Sequence, residues 1–323
     1  MDLEYLLFLQ KIRLAAPDFV LQFFEYITNM GAFCLFPVVC LVYWCIKKED
    51  GILASWSLGI SMLAHSLLKQ IMCIYRPWIR DARIVPPAVA KAGATGYSFP
   101  SGHSSNAAAY LGSIAWQNRS RRVLFWTLIT LIVLICFSRN FLGVHTPQDV
   151  VVGCACGAIS IFGAWLILKW EQKGKNRDII LFCASIITVT LYLLYITYKS
   201  YPLDYDSEGK LLVDPQKMAL DGWTHGGLFI GLVLGWLLEK RTLNFQLPAN
   251  WVIGLCRYGV GFGALLVLKH SNEFFGMYLP APWTRFATGF VALFFIIYLY
   301  PVIFTLVENC FTKKEAVDNQ DQI

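Results

Sequence analysis

The chain has 323 residues, 57% of them hydrophobic and only 15% charged, with a formal net charge of +6. So apolar a composition excludes a water-soluble globule and gives no ground for a nucleic-acid partner; it is that of an integral membrane protein. All ten cysteines fall in or at the edge of apolar stretches, where a thiol behaves as a small hydrophobe, so no disulfide framework is expected.

The opening segment, MDLEYLLFLQKIRLAA, starts with acids and has a very short apolar core. It reads as an amphipathic segment lying on the membrane rather than as a signal peptide. About nine stretches long enough to cross a bilayer as helix follow, near residues 24–46, 52–75, 102–117, 122–138, 148–168, 179–198, 224–238, 251–270 and 286–311. The third, rich in small residues (SSNAAAYLGSIAWQN), suits a helix packed among helices rather than one facing lipid. The predicted fold is therefore an all-α, polytopic membrane helix bundle of about nine spans, a single membrane domain ending in a polar tail over 312–323. No internal repeat of the kind found in transporters built from inverted halves is evident.

The second span ends in KQIMCIYRP, where Lys69 and Arg76 lie nearly two turns apart on one stripe, and Pro77 places Arg76 at the helix end. They read either as a snorkelling interfacial pair or as paired cations facing an anion. After the long loop 77–99, YSFPSGHSS opens the third span. Ser101 is a plausible N-cap there, leaving the amides of Gly102, His103 and Ser104 as free donors at a positive helix end. In SRNFLGVHTPQD, Thr146 reads as an N-cap, Pro147 as the first helical residue and Asp149 as the partner closing a capping box. His145 precedes this start, four residues from Asp149, whose carboxylate is placed to accept the second imidazole N–H.

Among lesser candidates, His65, one turn before Lys69, reads as a core histidine hydrogen-bonded to a neighbouring helix or as a further site residue. His225 reads as an interface anchor or a substrate contact, and Trp78 and Tyr97 flank the loop. Arg257, inside the eighth span, is expected to meet a helix-end carbonyl or an acid such as Glu239 or Glu308.

The short basic segments 47–50, 119–122, 169–177, 239–241 and the tail hold thirteen of the 27 Lys and Arg, which makes them cytoplasmic by the positive-inside rule. The N-terminus and the loops 76–101, 138–147 and 200–223 then lie outside the cytoplasm, with all three polar clusters at one face. The bacterial plasma membrane is the expected location, with a luminal site in the endoplasmic reticulum as the eukaryotic equivalent. Two arginines, a lysine, free amides and a serine hydroxyl suit a tetrahedral oxyanion, while two histidines can divide attack and proton donation. No carboxylate cluster suggests a metal, and no cofactor is expected; the set reads as that of a metal-independent phosphatase.

Lys-x6-Arg-Pro (69–77), Pro-Ser-Gly-His (100–103) and Ser-Arg-x5-His-x3-Asp (138–149) together resemble the three-part signature of the type 2 phosphatidic acid phosphatase (PAP2) superfamily. The resemblance covers about residues 50–170. It implies a six-helix catalytic core within about 20–200, with the spans over 201–311 as additions. It implies phosphate binding by Lys69, Arg76, Ser101, Gly102, Ser138 and Arg139, attack by His145 assisted by Asp149, and protonation of the leaving alcohol by His103. A phosphorylated lipid is the favoured substrate, and a sugar phosphate the runner-up. A phosphotransferase and a transporter are the remaining alternatives.

Overall fold

The computed structural model describes residues 2–33, 35–268 and 270–320. It is a bundle of helices, with no strand among the described residues beyond one isolated bridge between Tyr205 and Leu211. In chain order the helices are α1 (Asp2–Ala15), α2 (Asp18–Phe33), α3 (Leu35–Leu41), α4 (Lys48–Met72), α5 (Pro77–Arg80), α6 (Ala88–Ala92), α7 (Gly102–Gln117) and α8 (Arg122–Phe141). They continue as α9 (Pro147–Glu171), α10 (Arg177–Tyr198), α11 (Pro215–Leu238), α12 (Trp251–Leu268), α13 (Ser271–Gly276), α14 (Ala281–Phe294) and α15 (Tyr300–Gln320). π-Helical turns extend α3, α11 and α14.

All nine apolar stretches are largely helical. Six helices are long and apolar enough to cross a membrane, and a seventh span exists if α2 and α3, bent by 53°, count as one. The helices α7 and α11 do not qualify by length and composition alone. As its small residues suggested, α7 is enclosed: Ala107, Ala109 and Tyr110 are buried where it packs between α4 and α9. By contrast α10 and α12 present Ile187, Leu191, Leu194, Leu255 and Val260 outward, a surface suited to lipid rather than water.

Two boundaries differ from expectation. Helix α11 begins at Pro215, well before 224, because Asp214 caps it by accepting from the amides of Gln216 and Lys217 and Pro215 fits the first turn. The loop 76–101 contains the short helices α5 and α6. Helix α1 is tied down by Arg13, which donates to the carbonyls of Phe141 (2.7 Å) and Val85 (2.6 Å).

Glycines set the closest helix approaches. At Gly153 and Gly157 of α9, a Cβ would come within 2.6 Å of the Ser101 carbonyl oxygen and 2.5 Å of that of Ser105, which pins the start of α7 to α9. Between α11 and α14, a Cβ at Gly227, Gly231 or Gly289 would meet the backbone oxygens of Phe286, Phe290 or Thr224 at 2.0 to 2.2 Å. The nine described cysteines are free, with Cys136 and Cys154 bringing their sulfurs to 3.1 Å; Cys34 lies outside the described residues, as do 321–323 of the tail.

Candidate active site

Three helix ends meet where α4 stops and α7 and α9 start. Thr146 caps α9 by accepting from the Asp149 amide (3.3 Å), and the Asp149 carboxylate accepts from the Thr146 amide (2.8 Å), the reciprocal box read from the sequence. Ser101 caps α7, accepting from the Ser104 amide and hydroxyl, and its own amide donates to the Asp149 carbonyl (2.8 Å). As the first residues of α7, Gly102 and His103 have no acceptor one turn earlier in the helix, so their amides point out of its positive end.

His145 lies in this junction, fully buried. Its Nε2 is 2.9 Å from Arg76 Nη1, and its Nδ1 is 3.3 Å from Asp149 Oδ2. A guanidinium can only donate, so Nε2 is the acceptor, and the ring proton sits on Nδ1, facing the carboxylate. That tautomer keeps a lone pair on Nε2. Burial pushes the imidazole well below the ordinary histidine range, with Arg76, Lys69 and Arg139 adding to the effect. Asp149 Oδ2 also accepts from Ser98 Oγ at 2.5 Å, and that hydroxyl lies 3.4 Å from His145 Nδ1, so all three groups converge on one oxygen.

Three cations surround the ring. Arg76 donates to the carbonyls of Thr95, Gly96 and Val144, each at 3.0 Å. Gly96 has φ +72° and sits against Met218 of α11, so this stretch of loop requires a glycine. Lys69 donates to the carbonyls of Tyr97 and Ser98 at 3.0 Å. Arg139 donates to Thr28 Oγ1 of α2 at 2.5 Å, while its Nε is buried with no partner. His103 faces the same cluster, with Arg139, Arg76 and Lys69 as its charged neighbours and the His145 ring close by. No set of three His, Cys, Asp or Glu side chains among the described residues has metal-holding geometry.

The structure thus brings Lys69, Arg76, Ser101, Gly102, His103, Arg139, His145 and Asp149 to one place. Ser138 is buried beside them, but its hydroxyl donates to the Ile135 carbonyl (2.6 Å), which leaves it only acceptor capacity. Ser98 and Thr28 were not singled out from the sequence. Ser98 lies within YSFPSGHSS and had that much signal, whereas Thr28 had none. Trp78 is half-buried, 5.8 Å beneath the Arg76 guanidinium, and Tyr97 is fully buried against Val213 and Met218. His65 departs from expectation: it is buried, yet neither ring nitrogen has a hydrogen-bond partner.

Two family models match the chain, one described as the PAP2 superfamily over residues 50–173 and one as a PAP2 superfamily phosphatase transmembrane extension over 223–310. The chain belongs to the PAP2 superfamily. It is a phosphoric monoester hydrolase by class, and residues 223–310, left without assignment by the sequence motifs, match the family's transmembrane extension. Among curated proteins it is similar to phosphatidylglycerophosphatase B of Bacillus subtilis, 29% identical over 163 residues, 46% of this chain and 74% of that one. It is also similar to dihydrosphingosine 1-phosphate phosphatase YSR3 of Saccharomyces cerevisiae, 26% identical over 166 residues, 48% of this chain and 41% of that one. No solved structure matches.

Proposed function

We propose that this PAP2 protein hydrolyses the phosphate monoester of a membrane lipid through a phosphohistidine on His145, at the face outside the cytoplasm. The observation that carries the reading is the His145 ring, which is held by Asp149 at Nδ1, keeps its lone pair at Nε2, and stands among three cations, Arg76 and Arg139 buried and Lys69 half-buried. A phosphoryl group has the charge and shape to occupy that centre. Its oxygens would take up the Arg76 fork, Lys69, Arg139 and the Gly102 amide, and draw Arg76 Nη1 off the Nε2 lone pair.

Chemistry then proceeds in two displacements. Nε2 forms a bond to phosphorus as the bond to the lipid oxygen breaks, and His103 gives that oxygen its proton. The imidazolium charge created on His145 is shared with the Asp149 carboxylate through Nδ1–H. Water next attacks phosphorus, its proton passes to His103, and the phosphorus–nitrogen bond breaks to return His145 and free phosphate. The cations stabilise charge on the transferring oxygens throughout.

Support for a lipid substrate comes from the membrane setting and from the names of both relatives, a phosphatidylglycerophosphatase and a phosphatase of dihydrosphingosine 1-phosphate. The test is release of phosphate by the purified protein, in EDTA, from phosphatidic acid, phosphatidylglycerol phosphate, a sphingoid-base phosphate and glucose 6-phosphate side by side. Turnover of one or more lipids well above the sugar is expected, with competitive inhibition by vanadate, which mimics the pentacoordinate state. Absence of phosphate release from every lipid would overturn the reading.

A further inference from the structure

Beside the catalytic centre lies a pair of imidazoles that the mechanism above does not use. His65 of α4 and His225 of α11 meet edge to face, ring centroids 5.5 Å apart at 76°. His65 is 5% exposed, and neither of its nitrogens has a hydrogen-bond partner; Nδ1 of His225 is equally shut away and unpaired. Asn106 lies beside His65 without meeting hydrogen-bond geometry. Buried polar groups in folded proteins are paired almost without exception, so the unpaired ring of His65 beside the unpaired Nδ1 of His225 marks a place where a partner from outside the chain belongs.

Their position says what that partner touches. The nitrogen-bearing edge of His65 lies against Gly102, where an added Cβ would stand 3.1 Å from Cε1, 3.4 Å from Nδ1 and 3.6 Å from Nε2. One turn further along α4, Lys69 holds the carbonyls of Tyr97 and Ser98, so the His65–Lys69 stripe backs the whole phosphate loop. Lys69 is also the charged neighbour of both rings, and its field favours an oxygen rich in electrons over a second cation. His225 belongs to the segment matched by the transmembrane extension, not to the shared catalytic region.

We propose that His65 and His225 form a headgroup subsite whose ring N–H groups donate to a substrate oxygen outside the scissile phosphoryl group, so that the extension takes part in choosing the substrate. The oxygen can come from a hydroxylated glycerol headgroup or from a second phosphoryl group. The inference rests on the phosphatase reading, and three substrates separate the two: dodecyl phosphate, which carries no further oxygen, 1-acylglycerol 3-phosphate, and dodecyl diphosphate.

In purified wild-type protein, turnover of dodecyl phosphate upholds the phosphatase reading by itself, and its absence together with inactivity on the other two removes that reading and this one with it. In His225→Ala, KM for the glycerol substrate, the diphosphate, or both is expected to rise about tenfold, with kcat and KM for dodecyl phosphate within about twofold of wild type. The substrate whose KM rises identifies the oxygen. His225→Asn, which keeps a donor, should recover part of the loss, and His65→Ala should repeat the pattern if its thermal midpoint and elution volume match wild type. Equal losses on all three substrates, or unchanged KM on all three in a folded His225→Ala protein, would overturn the subsite.

Discussion

Where α4 begins, Lys48 reaches Glu239 at 2.6 Å; where the same helix ends, Lys69 finds only the carbonyls of Tyr97 and Ser98. The contrast extends across both ends of the bundle. At the basic-loop end, Lys47 meets Asp50, Arg241 grips Asp178 with two bonds of 2.7 Å, Lys240 pairs with Glu171, and Arg257 is clasped by Glu308. At the site end Arg76, Arg139 and Lys69 share one carboxylate in their midst, and Asp149 is already engaged by Thr146, Ser98 and His145. Ion pairs do exist there, but on the rim, between Arg83 and Asp81 or Glu4. Cations matched within the chain hold the fold together; cations left unmatched in a buried place await an anion from outside, at a cost in stability.

The sharpest way to break this contrast is to remove one group from each end and assay both activity and melting. Replacing His145 by alanine should lower phosphate release by about 10⁴-fold or more in protein that elutes normally. Glu308→Ala, in the same assay, should stay within about twofold of wild type. Its loss should appear instead in the thermal midpoint, because the buried Arg257 would be left without its acid, a penalty of about 3 kcal/mol. If the two substitutions exchanged phenotypes, the division of labour would be wrong.

A second comparison uses the cations. Arg76→Gln should lower kcat/KM by about 10²- to 10³-fold while leaving the thermal midpoint unchanged or raised, since it relieves charge that the single shared carboxylate of Asp149 balances only in part. The same variant sharpens the picture through pH. In the proposed mechanism His145 acts as its neutral form, and its pKa is held down by burial and by Arg76. Activity of the wild type should therefore persist below the usual histidine range before falling as the ring is protonated. In Arg76→Gln one of the depressing charges is gone, so the acid limb of kcat/KM should move to higher pH. The smallest effect is expected for Thr28→Val, which removes only the hydroxyl that orients Arg139: about fivefold in kcat/KM, with melting unaffected.

Much of this site could be read in advance because its parts are local. The caps at Ser101 and Thr146, the His145–Asp149 spacing and the proline after Arg76 each lie within a few residues of one another, and helix-start chemistry predicts their geometry. Arg257 was also legible, since an arginine inside a span has few partners to choose from, and it takes both kinds expected, the Glu308 carboxylate and the carbonyls of Trp44 and Gln246. What the sequence hid are contacts between distant segments. Nothing in residues 18–33 marks Thr28 as the partner of Arg139, and no pattern brings α11 to His65. The hydrogen bond expected for that histidine does not form: across α11 and α7 it meets another imidazole and a glycine, and the Asn106 amide beside it falls short of bonding geometry. The early start of α11 was missed for a different reason, an Asp-Pro cap standing in a stretch too polar to suggest a span.

The glycines of α11 and α14 have one more consequence. With backbone lying directly on backbone at Gly227, Gly231 and Gly289, the two helices have no layer of side chains on which to slide, and they behave mechanically as a single thick strut. His225 sits two residues from Gly227 on that strut, so its depth beside α4 is set by masonry rather than by a hinge. A substrate of the proposed kind entering next to it would meet a fixed gauge, and whatever yields to admit it would lie outside the α11–α14 pair.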